Sequence, residues 1–296
     1  MESGDVTLKP RVGRRLYGLF RLAHPFPGLL NVVALAIFSG LAARGLPPLG
    51  ALARALLAMF CIQTAIGAFN DYMDRELDAA TKKYKPIVRG LVTPAQALTL
   101  GSVAVLLAVI LLISLGLLVL VIGVVWLAAG LAYDCWLKRT PFSGLAYAVA
   151  LPLDPLWGWV AFGQVRPFLL WIFPLGFLLG LGLNLANTLP DLEGDVAHGE
   201  RMRGLAHLLG RTRSLALCWG LFILVELAAL TLTLTGALAA DQRVFLPAFG
   251  VSLGLVIFSL CFYWARPCAA TLQTNFGILA LSIVVLGGGV LAALVF

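Results

Sequence analysis

Nine long apolar runs decide what this 296-residue chain can become; they fall at 27–43, 49–70, 94–115, 117–134, 142–162, 167–189, 213–235, 245–264 and 273–296. A helix of about 20 apolar residues crosses the hydrocarbon core of a bilayer, and it satisfies its own backbone hydrogen bonds there. Residues 100–133 form one stretch too long for a single span, so a tight hairpin is expected near Ser114–Gly116. Charged residues make up 12% of the chain, about half the ~25% of a soluble domain. The expected fold class is therefore all-α integral membrane, with about nine transmembrane helices. Residues 1–296 read as a single polytopic domain with no separate soluble unit.

Residues 1–23 carry Glu2, Asp5, Lys9, Arg11, Arg14, Arg15 and Arg21 among few apolar residues, which is a basic lead-in rather than a cleaved signal peptide. Arg14, Arg15 and Arg21 are expected at a membrane surface beside Leu16, Leu19 and Phe20. With the N-terminus cytoplasmic, every Lys and Arg except Arg44, Arg54, Arg166 and Arg243 falls on the inner side. That bias follows the positive-inside rule. Topology thus accounts for the net charge of +7. The partner implied is the lipid bilayer, and nucleic acid is not. Cys61, Cys135, Cys218, Cys261 and Cys268 have no paired spacing, so they read as packing residues rather than a zinc site or a disulfide framework.

The acids are distributed differently. Asp71, Asp74, Glu76 and Asp78 crowd the end of the second run, and Asp191, Glu193, Asp195 and Glu200 follow the sixth. Acids at a membrane boundary are costly unless a cation meets them. Asp71, Asp74 and Asp78 stand at i, i+3 and i+7, on one face if the helix continues. Asp191 and Asp195 stand at i, i+4, again one face if the helix persists past Pro190. Such oxygen-only donors with no nearby His or Cys favour a hard ion such as Mg²⁺, held by one or two carboxylates plus substrate phosphate. An offset of 117 residues aligns Asn70 with Asn187, Asp74 with Asp191, Glu76 with Glu193 and Asp78 with Asp195. Thr188 takes the place of a third Asp. The match suggests an internal duplication with two half-sites facing each other.

At these residues the chain resembles the UbiA superfamily of intramembrane prenyltransferases. The family's NDxxDxxxD signature is complete at Asn70, Asp71, Asp74 and Asp78, and its DxxxD signature is met by Asp191 and Asp195. Lys85-Pro86-Ile87-Val88-Arg89-Gly90 is similar to the family's RPxxxG segment, and Tyr133 to Lys138 resembles its Tyr…Lys motif. Arg21 to Pro25 resembles the basic-Pro entry to the first helix. Asp134 departs from the small polar residue more usual there. Gly199-Glu200-Arg201-Met202, or Arg203-Gly204-Leu205, loosely matches a Gly-x-Lys/Arg-Thr segment.

The resemblance implies nine helices around a central cavity and Mg²⁺-dependent transfer of a prenyl group from an allylic isoprenoid diphosphate to a lipophilic acceptor. Asp71, Asp74, Asp78, Asp191 and Asp195 become the expected metal and catalytic residues. Asn70, Arg75, Lys82, Lys85, Arg89, Tyr133, Lys138, Asn187 and Arg21 become the expected substrate contacts, and Asp71 the group that orients or deprotonates the acceptor. Tyr72, Tyr147, Trp157 and Trp159 are candidates by position for stabilising a carbocation. The acceptor is expected to be aromatic or quinone-type. Cyclisation or hydrolysis of the isoprenoid is the alternative reaction, and a secondary transporter the alternative class. Asp154, between Pro152 and Pro155, is expected to face the cavity where those prolines break the helix, whereas Glu226 is expected to be partnered or to snorkel. His24, His198 and His207 lack metal-ligand spacing and are assigned loop or interfacial roles. Gly287, Gly288 and Gly289 are assigned to close helix packing.

Overall fold

A computed structural model describes residues 12–192 and 204–295. Nine of its helices are long and apolar enough to cross a membrane. They are α2 (Pro25–Ala43), α3 (Leu49–Met73), α5 (Pro94–Ile113), α6 (Leu117–Cys135), α7 (Gly144–Phe162), α8 (Leu169–Thr188), α9 (Leu205–Leu234), α10 (Gln242–Ala265) and α11 (Ala269–Val295). Two shorter helices, α1 (Val12–Leu22) and α4 (Arg75–Thr81), lie outside the spans. The chain is an integral, multi-pass membrane protein. The expected hairpin forms where Gly116, at φ 109°, turns between α5 and α6. A left-handed backbone suits glycine there because it has no Cβ.

Local chemistry sets the ends of the spans. Thr93 and Gln96 form a reciprocal capping box at the start of α5, with Pro94 in the first turn. Asp241 caps α10 by accepting from the Arg243 amide. On α1, Gly18 and Leu22 face inward while Leu16, Tyr17 and Phe20 stay exposed, the amphipathic pattern expected of the lead-in.

The neighbour order α2–α3–α5–α6 recurs as α7–α8–α9–α10. This repeat of packing accompanies the sequence offset between the two acidic motifs. One core gathers Leu35, Met59, Ile62, Leu112 and Trp157, and a second gathers Leu185, Trp219, Phe222, Phe245 and Leu279. Between the two halves lies an apolar cavity of about 110 Å³ bounded by α2, α7, α8, α9 and α11.

Three expectations are corrected. The prolines do not break α7, which runs through Pro152 and Pro155 without interruption. Small neighbours let the segment pack tightly instead: Gly176 lies against Pro152 and Gly158 against the backbone of Phe38 and Ser39. Secondly, the seventh span starts earlier than residue 213. It begins at Leu205 and is re-aimed at Gly210, where φ is 71° and ψ 169°. Thirdly, of the aromatic candidates, Trp157 is buried in the first core and Trp159 packs edge-on against Phe168. Tyr72 packs toward Leu22 and Val92, so none of these three lines the cavity. Glu226 is partnered by the Ser252 hydroxyl.

Helices α7 and α8 approach backbone to backbone, where a Cβ on Gly180 would sit 2.4 Å from the Tyr147 carbonyl oxygen and 2.6 Å from Ala148 Cα. Backbone gives way poorly. Gly180→Leu should therefore lower the thermal unfolding midpoint in detergent, at a cost of about 1–3 kcal/mol or more. Gly254→Ala, with nothing within 4 Å of the new Cβ, should leave the midpoint nearly unchanged.

Candidate active site

Charged side chains collect where α3, α6 and α8 end on the same side as the start of α2. Helix α3 presents Asn70 and Asp71 and stops at Met73; Asp74 adopts φ −90°, ψ 5°, and α4 then carries Asp78. The first motif is therefore not one continuing helix, which corrects the expectation. The bend is slight, because Asp74 N donates to Asn70 O at 2.9 Å and Asp78 N to Asp74 O at 2.7 Å. All three carboxylates still point inward: Asp71 is 1% exposed and Asp78 4%, with the Asp74 side chain at 12%.

Each of these three carboxylates is met by a lysine from elsewhere in the chain. Lys85 Nζ donates to Asp71 Oδ1 and lies 3.9 Å from Asp78 Oδ2. Lys138 Nζ donates to Asp74 Oδ2, and Arg139 lies 3.5 Å from Asp74 Oδ1. His24 Nε2 sits 2.9 Å from Asp71 Oδ1. The second motif joins the first directly, since Lys82 Nζ donates to Asp191 Oδ2 at 2.8 Å. Burial alone would depress the Lys82 ammonium, but the Asp191 carboxylate overcomes this and holds it above the ordinary lysine range. Burial pushes the Asp78 carboxyl up, a shift that Lys85 opposes without cancelling.

The paired asparagines converge on one helix end. Asn70 Nδ2 donates to Asp134 Oδ1 at 2.8 Å and to Asp74 Oδ2 at 3.3 Å. Asn187, with Asn184 and Thr188, meets the hydroxyl of Tyr133, the residue before Asp134. The Tyr133 ring stands edge-on to Tyr147 at 5.6 Å. The end of α6 thus lies between the two half-sites.

Several expected contacts take other positions. Arg75 turns back to the Tyr72 carbonyl at 2.8 Å, stacks over the Tyr72 ring at 4.8 Å and pairs with Glu76. Arg21 and Arg89 are exposed and, among the described residues, form no ion pair with the carboxylates. Helix α8 ends at Thr188, before Pro190, and Asp191 sits in the turn that follows. Asp195, Glu193, His198 and the segment Gly199 to Arg203 lie outside the described residues. Conversely, sequence reading missed His24 and Arg139 and gave Asp134 no role. His24 lies 47 residues from Asp71, and no local spacing signals that contact.

Among the described residues, no three His, Cys, Asp or Glu side chains converge tightly enough to cage a cation by themselves. A hard divalent ion does not require such a cage when substrate phosphate completes its shell. The donor set fits that mode: Asp71 Oδ2, Asp74 Oδ1, Asp78 Oδ2 and Asp134 Oδ2 are buried carboxylate oxygens without a hydrogen-bond donor. Buried acceptors of this kind call for a partner.

Comparison with known proteins places these features in a family. The sequence profile of the UbiA prenyltransferase family matches residues 30–279. The digeranylgeranylglyceryl phosphate synthase of Natronomonas pharaonis is 30% identical over 219 residues, which cover 73% of this chain and 77% of that protein. The 4-hydroxybenzoate octaprenyltransferase of Vibrio campbellii is 26% identical over 72% of this chain and 75% of its own length. Among solved structures, a UbiA homologue from Archaeoglobus fulgidus bound to DMAPP and Mg²⁺ superposes with a TM-score of 0.73 at 17% identity, covering 93% of this chain and 99% of that one. The chain belongs to the UbiA prenyltransferase family.

Proposed function

We propose that this protein transfers a prenyl group from an allylic isoprenoid diphosphate to a lipophilic acceptor, with Mg²⁺ held between the two acidic motifs. The observation that carries this reading is the Lys82–Asp191 pair, which draws the second motif onto a first motif whose own acids are matched by Lys85 and Lys138. Asp74, Asp78 and Asp191 would hold the metal, with Asp195 expected beside them. When bound, Mg²⁺ offsets the negative charge that builds on the diphosphate as its bond to the prenyl carbon breaks. Lys82, Lys85 and Lys138 then have a second set of acceptors: their ammonium groups exchange carboxylate oxygens for phosphate oxygens as charge-assisted donors. Tyr133 supplies a further hydroxyl at the same end.

The prenyl tail leads into the apolar cavity, whose hydrocarbon wall near the charged end offers the allylic cation no competing nucleophile. Asp71, held by His24, is placed to orient or deprotonate the acceptor. We read that acceptor as aromatic or quinone-type. The buried cations Lys85 and Lys138 are already committed to the diphosphate, and the Tyr133–Tyr147 edge offers an aromatic wall. The site loops and the N-terminus are placed on the cytoplasmic side, following the basic residues that surround them.

Incubating the purified protein with Mg²⁺ and labelled geranyl, farnesyl or geranylgeranyl diphosphate, with and without quinone-precursor acceptors, tests the reaction. Prenylated acceptor is the expected product; free prenyl alcohol or a cyclic hydrocarbon in its place would reassign the chemistry to hydrolysis or cyclisation. Asp74→Ala and Asp191→Ala should each lose roughly 10²–10³-fold in turnover while keeping a cooperative unfolding transition. Unchanged turnover would remove both from the metal site. Asp71→Asn should retain diphosphate binding and lose transfer, and full transfer with the native acceptor would rule out its proton-handling role.

The ion pairs also predict stability. Lys85→Met leaves Asp71 and Asp78 without their main cation and should cost on the order of 3–5 kcal/mol, read from denaturant or thermal unfolding in detergent. Adding Asp71→Asn should restore part of that loss. Lys83→Met, at an exposed position, should have no measurable effect.

A further inference from the structure

The apolar cavity contains one feature that the proposed chemistry does not use. Asp154 lines it, 4% exposed, and its Oδ1 has no hydrogen-bond partner. Among the described lining residues the only other polar side chain is Asn31, whose amide already donates to the Pro27 carbonyl at 3.2 Å within its own helix. Around Asp154 the wall is hydrocarbon, including Ala34, Leu175 and Ile283. An intramembrane acid with no partner is expensive and marks a function by default.

Its depth gives the function a direction. Gly144 opens α7 next to Asn184 in the polar site, and Asp154 stands ten residues further along an unbroken helix. At ~1.5 Å per residue, that places it about 15 Å into the membrane from the charged end. The cavity continues past this level to Phe38 and Leu291. A hydrocarbon tail that stops short of Asp154 leaves the carboxyl free to keep water. A tail that passes it strips that water and supplies no donor in return.

We propose that Asp154 sets the prenyl chain length this protein accepts, by penalising tails that extend beyond its level in the cavity. This inference rests on the cavity holding the prenyl tail, as proposed above. A stripped, unsatisfied polar group is worth roughly 5–100-fold in affinity, enough to separate a geranyl from a geranylgeranyl tail.

The test is thermal stabilisation of the purified full-length protein in detergent, with Mg²⁺ and graded geranyl, farnesyl or geranylgeranyl diphosphate, because a ligand that binds only the folded state raises its stability with the logarithm of its affinity. Wild type should favour the shorter tails. Asp154→Leu and Asp154→Val should raise affinity for geranylgeranyl relative to geranyl diphosphate by roughly 5–100-fold, while Asp154→Asn, still polar, should keep the wild-type preference. Either apolar variant suffices if the other does not fold. If geranyl diphosphate binds wild type and the ratio is the same in the apolar variants, the chain-length role is overturned and the diphosphate reading stands. If no diphosphate of any length stabilises wild type, the diphosphate reading fails and this inference falls with it.

Discussion

The rest of the site depends on one electrostatic constraint. Asp71, Asp74, Asp78 and Asp134 are brought together at the end of apolar helices, where unpaired carboxylates are costly. The fold meets that cost with Lys85 and Lys138, helped by His24 and Arg139, rather than by exposing the acids to water. Several carboxylate oxygens remain without donors, so the acids are paired with cations but incomplete in hydrogen bonding. Such a site is poised for a ligand that brings its own cation and its own anion together. A Mg²⁺–diphosphate pair has that character, since the metal takes the carboxylates and the phosphates take the lysines.

The spatial division of labour follows from the same constraint. Most of the charge gathers at one end of the helix bundle, and the cavity beyond it is hydrocarbon except at Asn31 and Asp154. A transporter acid would be expected near mid-membrane; here most acids sit at the boundary with Lys and Arg, which separates the two readings on placement before family membership decides it. The repeated neighbour order of the two halves explains why two motifs far apart in sequence meet. It also explains why Asn70 and Asn187 reach adjacent residues at the end of α6.

Much of this was legible in the sequence because it is written in hydropathy and local acid density. The nine spans were readable since each carries enough apolar residues to be placed alone, and the α5–α6 hairpin followed from a run too long to be one helix. The carboxylates of the first motif were readable because their spacing is short. What the sequence concealed depends on distance or on packing. His24 reaches Asp71 across 47 residues. The bend at Asp74 is a single residue's departure from helical dihedrals, and α8 stops ahead of Pro190 where an unbroken face was expected. Pro152 and Pro155 signalled a break that close packing by Gly176 and Gly158 suppresses. Arg75 was drawn into the site by its position in the motif, yet its neighbour Tyr72 offers it both a carbonyl and a ring face.

The central claim is that the carboxylate–lysine cluster is a joint site for a divalent cation and a diphosphate. Thermal unfolding in detergent with Mg²⁺ alone, inorganic diphosphate alone, and both together measures this directly, because two ligands that complete one site stabilise it more than the sum of their separate effects. The account predicts little stabilisation by either alone and a clear rise in the midpoint with both, abolished in Asp74→Ala. Purely additive stabilisation, or an equal rise in the Asp74→Ala variant, would contradict it.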